Sequence, residues 1–211
     1  MTGRWCHPLT VAAMESFNQS VFLYLNAPAD PGALLLVVAR FLAEDLIWLV
    51  PAGLLFGWMF GSDGVRRAML QATVAGVVAL VCAQIIGAVW LHPRPFMIGL
   101  GHTYLAHVPD ASFPSDHLTL WWAASFSLLT CRQVRVAAVV MSLFGLTIAW
   151  ARIYLGVHFP LDMVGAAGVA LLSSLAGTYR RDRYIAPLFT AASSLHRVLF
   201  APLIQRGWLR S

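Results

Sequence analysis

The chain has 211 residues, 59% of them apolar and only 11% charged, against roughly 25% charged in an ordinary soluble domain; a soluble globule is excluded. Its formal charge of +5 rests on 14 basic residues, every one an arginine. These are scattered between apolar runs, which excludes a nucleic-acid face and suits a membrane surface.

The apolar runs are long and lack period-2 alternation, so a β-barrel is set aside in favour of an all-α, polytopic membrane helical bundle. Residues 9–28 are only partly apolar, broken by Glu15, Asn18 and Gln19, with no signal-peptide cleavage site. They either cross the membrane or lie flat in its interface, giving six spans or five; six is preferred. The run 33–60 contains Arg40, Glu44 and Asp45, expensive groups inside a bilayer. Arg40 and Glu44, one helical turn apart, are expected to neutralise each other, and Asp45 is kept as a second-tier pocket residue. Further runs cover about residues 66–90, 117–131, 134–152 and 160–179.

Arg66 and Arg67, Arg132 and Arg135, and Arg180, Arg181 and Arg183 mark alternate loops, which the positive-inside rule assigns to the cytoplasm. Arg4 joins them if the first run crosses. Segments 91–116 and 153–159 then lie outside, with Trp90, Trp121, Trp122, Trp150 and Tyr154 expected at the outer interface. The chain divides into a membrane domain, 1–183, and a cytoplasmic amphipathic tail, 184–211, carrying Arg197, Arg206 and Arg210. Cys6, Cys82 and Cys131 share no CxxC spacing and predict neither a disulfide framework nor a zinc site.

The outer segments concentrate chemistry. His92, His102, His107 and His117 fall close together, His158 lies in the other outer loop, and Arg94, Ser115, Asp116, Arg152 and Asp162 accompany them. Cations, imidazoles and a carboxylate at a membrane boundary suit a lipid phosphate. Asp162, four residues after His158, sits in the first turn of the next helix behind Pro160 and is able to hold the Nδ1 proton. The other ring nitrogen then faces outward as nucleophile or base. Ser115 and the amides opening the helix at His117 are candidate phosphate donors.

Arg94-Pro95, Pro114-Ser115-Asp116-His117 and Ala151-Arg152 through His158 to Asp162 match in order and spacing the three motifs of a known family. The chain resembles the type-2 phosphatidic acid phosphatase superfamily of integral membrane lipid phosphatases. Its wording is most similar to the undecaprenyl-diphosphatases of the bacitracin-resistance type. Three positions depart from the pattern: Gly87 stands where the family has a lysine, Asp116 where it has glycine, and Ala151 where it has serine. The resemblance implies that His158 attacks phosphorus to form a phosphohistidine, that Asp162 orients it, and that His117 protonates the leaving oxygen. Arg94, Arg152 and Ser115 then hold the phosphoryl oxygens, with Asp116 and His92 as second-tier groups and His92 or a backbone amide replacing the lysine. It further implies no metal and no cofactor, an outer-leaflet polyprenyl diphosphate as substrate, and a bacterial cytoplasmic membrane with the site facing the exterior.

Other readings compete. A metal-dependent membrane hydrolase or transporter would use the outer histidines and acids, but no HExxH occurs and two arginines repel a cation. An intramembrane Ser/His protease lacks a GxSG element. A lipid phosphotransferase shares the first half-reaction and is not separable from sequence. His102 and His107 read as loop residues.

Overall fold

The computed structural model describes residues 8–210, with side chains from residue 12 onward; Arg4 and Cys6 lie outside the described residues. It is helical, with no strand among them. Helix α1 is Pro8–Leu25. Helix α2, Ala33–Arg40, continues through a π turn at Phe41–Asp45 and a 3-10 turn at Leu46–Trp48 into α3, Leu49–Phe60. Then come α4 (Asp63–Val89), α5 (Asp116–Leu128), α6 (Arg135–Tyr154), α7 (Pro160–Tyr179), α8 (Arg181–Leu199) and the short α9 (Ala201–Gln205). Helices α4, α6 and α7 are long and apolar enough to cross a bilayer.

Helix α5 sits at the centre, against α4, α6 and α7, and buries most of its length. Close approach comes from small residues: α4 turns Ala68, Ala72, Ala75, Gly76, Ala79 and Ala83 inward, so that backbones pack without a hydrophobic driving force between helices. Trp121 and Trp122, expected in an interfacial belt, are instead core residues. Their indole nitrogens donate to Met141 O (2.7 Å) and Ser142 O (3.0 Å) on α6, which satisfies the polar tip of an otherwise buried ring.

The two ends of the bundle differ. At one end Ser62 meets Gln133 at 3.1 Å, and α8 folds across. There Arg66 is buried, donating to Trp58 O and to Arg210 O, and the Arg67 guanidinium lies 4.0 Å from the Phe189 ring centroid. The other end is made by residues 26–32, 90–115 and 155–159. Of the described arginines only Arg40, Arg94 and Arg152 belong to it.

Helix α1 has 18 residues, about 27 Å at 1.5 Å per residue, yet both its halves touch this same end. Glu15 pairs with His92, Asn18 accepts from Leu161 N at 3.0 Å, and Asn26 bonds His102 and Tyr154. It therefore lies across the end of the bundle. The expected Arg40–Glu44 pair does not form: Arg40 donates to Tyr104 O at 3.1 Å, and Glu44 and Asp45 are exposed. The π turn widens the helix there, so side chains four apart no longer stack.

Candidate active site

The spacing from Arg152 to His158 is a helix ending. Val157 N donates to Arg152 O and Gly156 N to Ile153 O, the paired bonds of a Schellman cap. Gly156 has φ +81° and a Cβ there would collide with the backbone at His102, so only glycine turns the chain this sharply. The turn delivers His158 back beneath the arginine that precedes it, and both are buried.

The next helix supplies the carboxylate. Pro160 is its first residue and Asp162 its third, where Asp162 Oδ2 accepts from Phe159 N at 2.7 Å. The same oxygen lies 3.1 Å from His158 Nδ1 and receives the Ser112 hydroxyl. Arg94 Nη1 is 2.9 Å and Arg152 Nη2 3.4 Å from His158 Nε2. Guanidinium groups only donate, so Nε2 presents a lone pair and Nδ1 carries the proton held by Asp162.

Each arginine is fixed by backbone. Arg94 donates to Val157 O (2.9 Å) and Ala111 O (3.2 Å), and its Nε meets Asp110 Oδ1 at 2.7 Å. Arg152 donates to Ala43 O at 2.9 Å, a carbonyl of the π turn; such turns recur where a helix serves a site. Arg152 Nε and Ser115 Oγ are buried with no protein partner. A buried unpaired polar atom costs about 1–3 kcal/mol, and both atoms suit the oxygens of an anion.

Burial, and then the charges of Arg152 and Arg94, hold the His158 imidazole well below its usual pKa, with His107 and His117 adding to the effect. His158 is thus neutral at pH 7, with the lone pair of Nε2 unprotonated.

The remaining expected residues are placed as follows. Ser115 precedes α5 as its N-cap residue, and its N–H reaches Asp162 O at 3.4 Å. His117, in the first turn of α5, lines a cavity of about 450 Å³ together with Trp48, Pro51, Leu80 and Leu120. Asp116 accepts from Gln84 at 2.8 Å. His92 faces α1, 3.3 Å from Glu15 and edge-on to Phe159; it makes no hydrogen bond or ion pair with either site arginine. Asp45 is exposed and apart from the cluster. A Cβ at Gly87 would point at Ala111, 3.4 Å away, in a cavity lined also by Asp110 and Asp116 and by no basic residue. Ser112, Asp110 and the Ala43 carbonyl join the site without any local signal in the sequence.

Three comparisons place this geometry among known proteins. The family model described as the PAP2 superfamily matches residues 68–185. YbjG of Escherichia coli (strain K12) is 33% identical over 197 residues, 93% of this chain and 99% of its own length. The undecaprenyl-diphosphatase BcrC of Bacillus subtilis (strain 168) is 33% identical over 155 residues, 74% of this chain and 79% of its own. Among solved structures, Aquifex aeolicus LpxE superposes with a TM-score of 0.65 at 22% identity, covering 77% of this chain and 95% of that one. A PAP2-type phosphatidylglycerolphosphate phosphatase from Bacillus subtilis gives 0.52 at 16% identity, covering 84% and 89%. These two likenesses speak for the fold.

Proposed function

From the premise that the chain belongs to the PAP2 superfamily, we propose that it is an undecaprenyl-diphosphate phosphatase. It hydrolyses the lipid diphosphate to the monophosphate and inorganic phosphate through a phosphohistidine on His158, and so returns the cell-envelope lipid carrier to use. The observation that carries this reading is the His158–Asp162 couple, with Nε2 of the imidazole turned toward two buried arginines.

The terminal phosphoryl group enters between Arg94 and Arg152, whose guanidinium groups and the Ser115 hydroxyl take its equatorial oxygens. His158 Nε2 forms the N–P bond as the bridging P–O bond breaks, and the lipid monophosphate leaves with the bridging electrons. His117 supplies a proton where the leaving oxygen needs one. Asp162 stabilises the cationic imidazole; water, giving a proton to the now neutral His117, then attacks phosphorus in line as the N–P bond breaks, its electron pair returning to His158 Nε2, and phosphate is released. The apolar cavity beside His117 provides a route for the prenyl chain toward the bilayer. Release of inorganic phosphate from the lipid diphosphate by purified protein tests the reading. Transfer of label to a second lipid in place of phosphate release identifies a phosphotransferase.

Diphosphate is favoured over monophosphate. The cavity beside Gly87 carries acids and no cation, so the site relies on a good leaving group, and a phosphate monoester is a far weaker base than an alkoxide. The expected preference for polyprenyl diphosphate over phosphatidic acid is about tenfold or more in kcat/KM, or 1.4 kcal/mol. Equal turnover in matched detergent removes the preference and leaves the phosphatase assignment standing.

For topology, five runs cross: 33–60, α4, α5, α6 and α7. Helix α1 lies flat in the outer interface, and 184–211 forms a cytoplasmic interfacial tail on the arginine-rich end. The contacts of α1 and the arginine asymmetry support this orientation. The expected result is that cysteines at His102 and Val108, in a background lacking native cysteines, react with an impermeant thiol reagent on intact cells. Cysteine at Arg132 reacts only after lysis; the reverse pattern inverts the protein.

A further inference from the structure

One imidazole near the reacting nitrogen has no role in this scheme. His107 lies on the outer segment, its side chain only 21% exposed. Its ring centroid is 6.2 Å from that of His158, and its Nε2 is 3.4 Å from Arg152 Nη2. Its Nδ1 is 3.0 Å from Val108 O and 3.8 Å from Asp110 Oδ1. A carbonyl only accepts, so Nδ1 carries the proton and Nε2 turns a lone pair toward the same Arg152 nitrogen that faces His158. An oxygen of a phosphoryl group on His158 Nε2 falls within reach of both.

We infer that His107 is a further phosphate-binding group, beside Arg94, Arg152 and Ser115, and that it gains a proton at Nε2 when the diphosphate binds, changing from an acceptor toward Arg152 into a cationic donor toward an equatorial oxygen. This deepens the proposed function and rests on it. The charge logic is direct. The groups facing His107 are Arg94 and Asp110 of the outer segment, Arg152 of α6, His158 of the following turn, and His117 of α5, which lies within electrostatic range. Burial, with help from Arg94 and Arg152, holds its pKa below the usual 6.5 against the raising influence of Val108 O and Asp110. The empty site therefore keeps His107 neutral. A dianionic phosphate cancels the arginine charges and adds an acceptor at Nε2, both of which favour imidazolium. One proton then enters from solvent with each substrate. Asp110 is placed to serve both cations, holding Arg94 by Nε and lying within 4 Å of His107.

The test separates binding from turnover. Titration calorimetry of methylenediphosphonate into detergent-solubilised protein at pH 7.5, in two buffers of different ionisation enthalpy, reads proton uptake directly. Wild type is expected to take up close to one proton more than His107→Gln, which binds about tenfold more weakly. His107→Arg is expected to bind at wild-type strength at pH 8.5 without the uptake, since its charge is permanent. Thermal unfolding of each variant reports whether the fold survives. Equal uptake and affinity in wild type and His107→Gln overturn the inference, as does a loss in His107→Gln that His107→Arg fails to restore. If wild type releases phosphate from lipid diphosphate while uptake is unchanged by His107→Gln, the phosphatase reading stands and this one falls. Absence of phosphate release overturns the phosphatase reading, and phosphate release without any diphosphonate binding overturns this one alone.

Discussion

His158→Ala is expected to lose turnover of lipid diphosphate by about four orders of magnitude or more, with the protein still folded. The alanine removes the atom that bonds to phosphorus, while the arginine cradle, fixed through Val157, Ala111 and Ala43 carbonyls, keeps its own anchors. Residual rate then reflects binding and electrostatics alone. Asp162→Asn is milder, about a hundredfold to a thousandfold, because the nucleophile remains but its Nδ1 proton loses the carboxylate that fixes the tautomer. His117→Ala is expected to accumulate an acid-labile phosphoenzyme when the substrate supplies a good leaving group, one that departs without needing a proton, and rapid quench of labelled substrate detects it. Full activity in His158→Ala sinks the mechanism.

How far these residues were legible depends on whether their spacing is local. The run from Arg152 to Asp162 is one helix cap followed by one helix start, so its geometry is written in consecutive residues: glycine at 156 for the left-handed turn, proline at 160, and a carboxylate at the third helical position. Helix type and the apolar runs were legible for the same reason. Contacts that depend on which segments meet were not. Ser112 and Asp110 look like ordinary loop residues until the outer segment is laid against α6 and α7. The Ala43 carbonyl becomes an acceptor for Arg152 because of a π turn that no composition rule announces. Trp121 and Trp122 have the residue type of an interface belt and the position of a core, since a central helix packed on three sides leaves no face for lipid headgroups. The partly apolar composition of α1 leaves two placements open in the sequence, and the contacts of Glu15 with His92, of Asn18 with Leu161 and of Asn26, just past the helix, with His102 are all between distant segments that no local pattern announces.

Arg152 is the residue whose replacement separates charge from geometry. Its guanidinium reaches in two directions, from Nη1 to the Ala43 carbonyl and from Nη2 to His158 Nε2. A lysine ammonium is a single point and does not reproduce the planar fork. Arg152→Lys is therefore expected to lower kcat/KM by about a hundredfold or more, comparable with losing an oxyanion donor. Arg152→Ala is expected to cost at least as much, but the two differ in their dependence on pH. After burial, the Arg152 charge is the largest cause of the depressed His158 pKa. Deleting it removes a repulsion felt by imidazolium, so the His158 pKa rises toward its ordinary value and the acid limb of kcat/KM moves to higher pH. Retaining a positive charge as lysine leaves that limb near its wild-type position. Rate profiles of the three proteins between pH 5 and 9 on a lipid diphosphate check this. An acid limb that moves in neither variant shows that burial and the remaining cations keep His158 neutral without Arg152, which then acts only by holding phosphate; one that moves equally in both shows that a lysine charge does not stand in for the guanidinium.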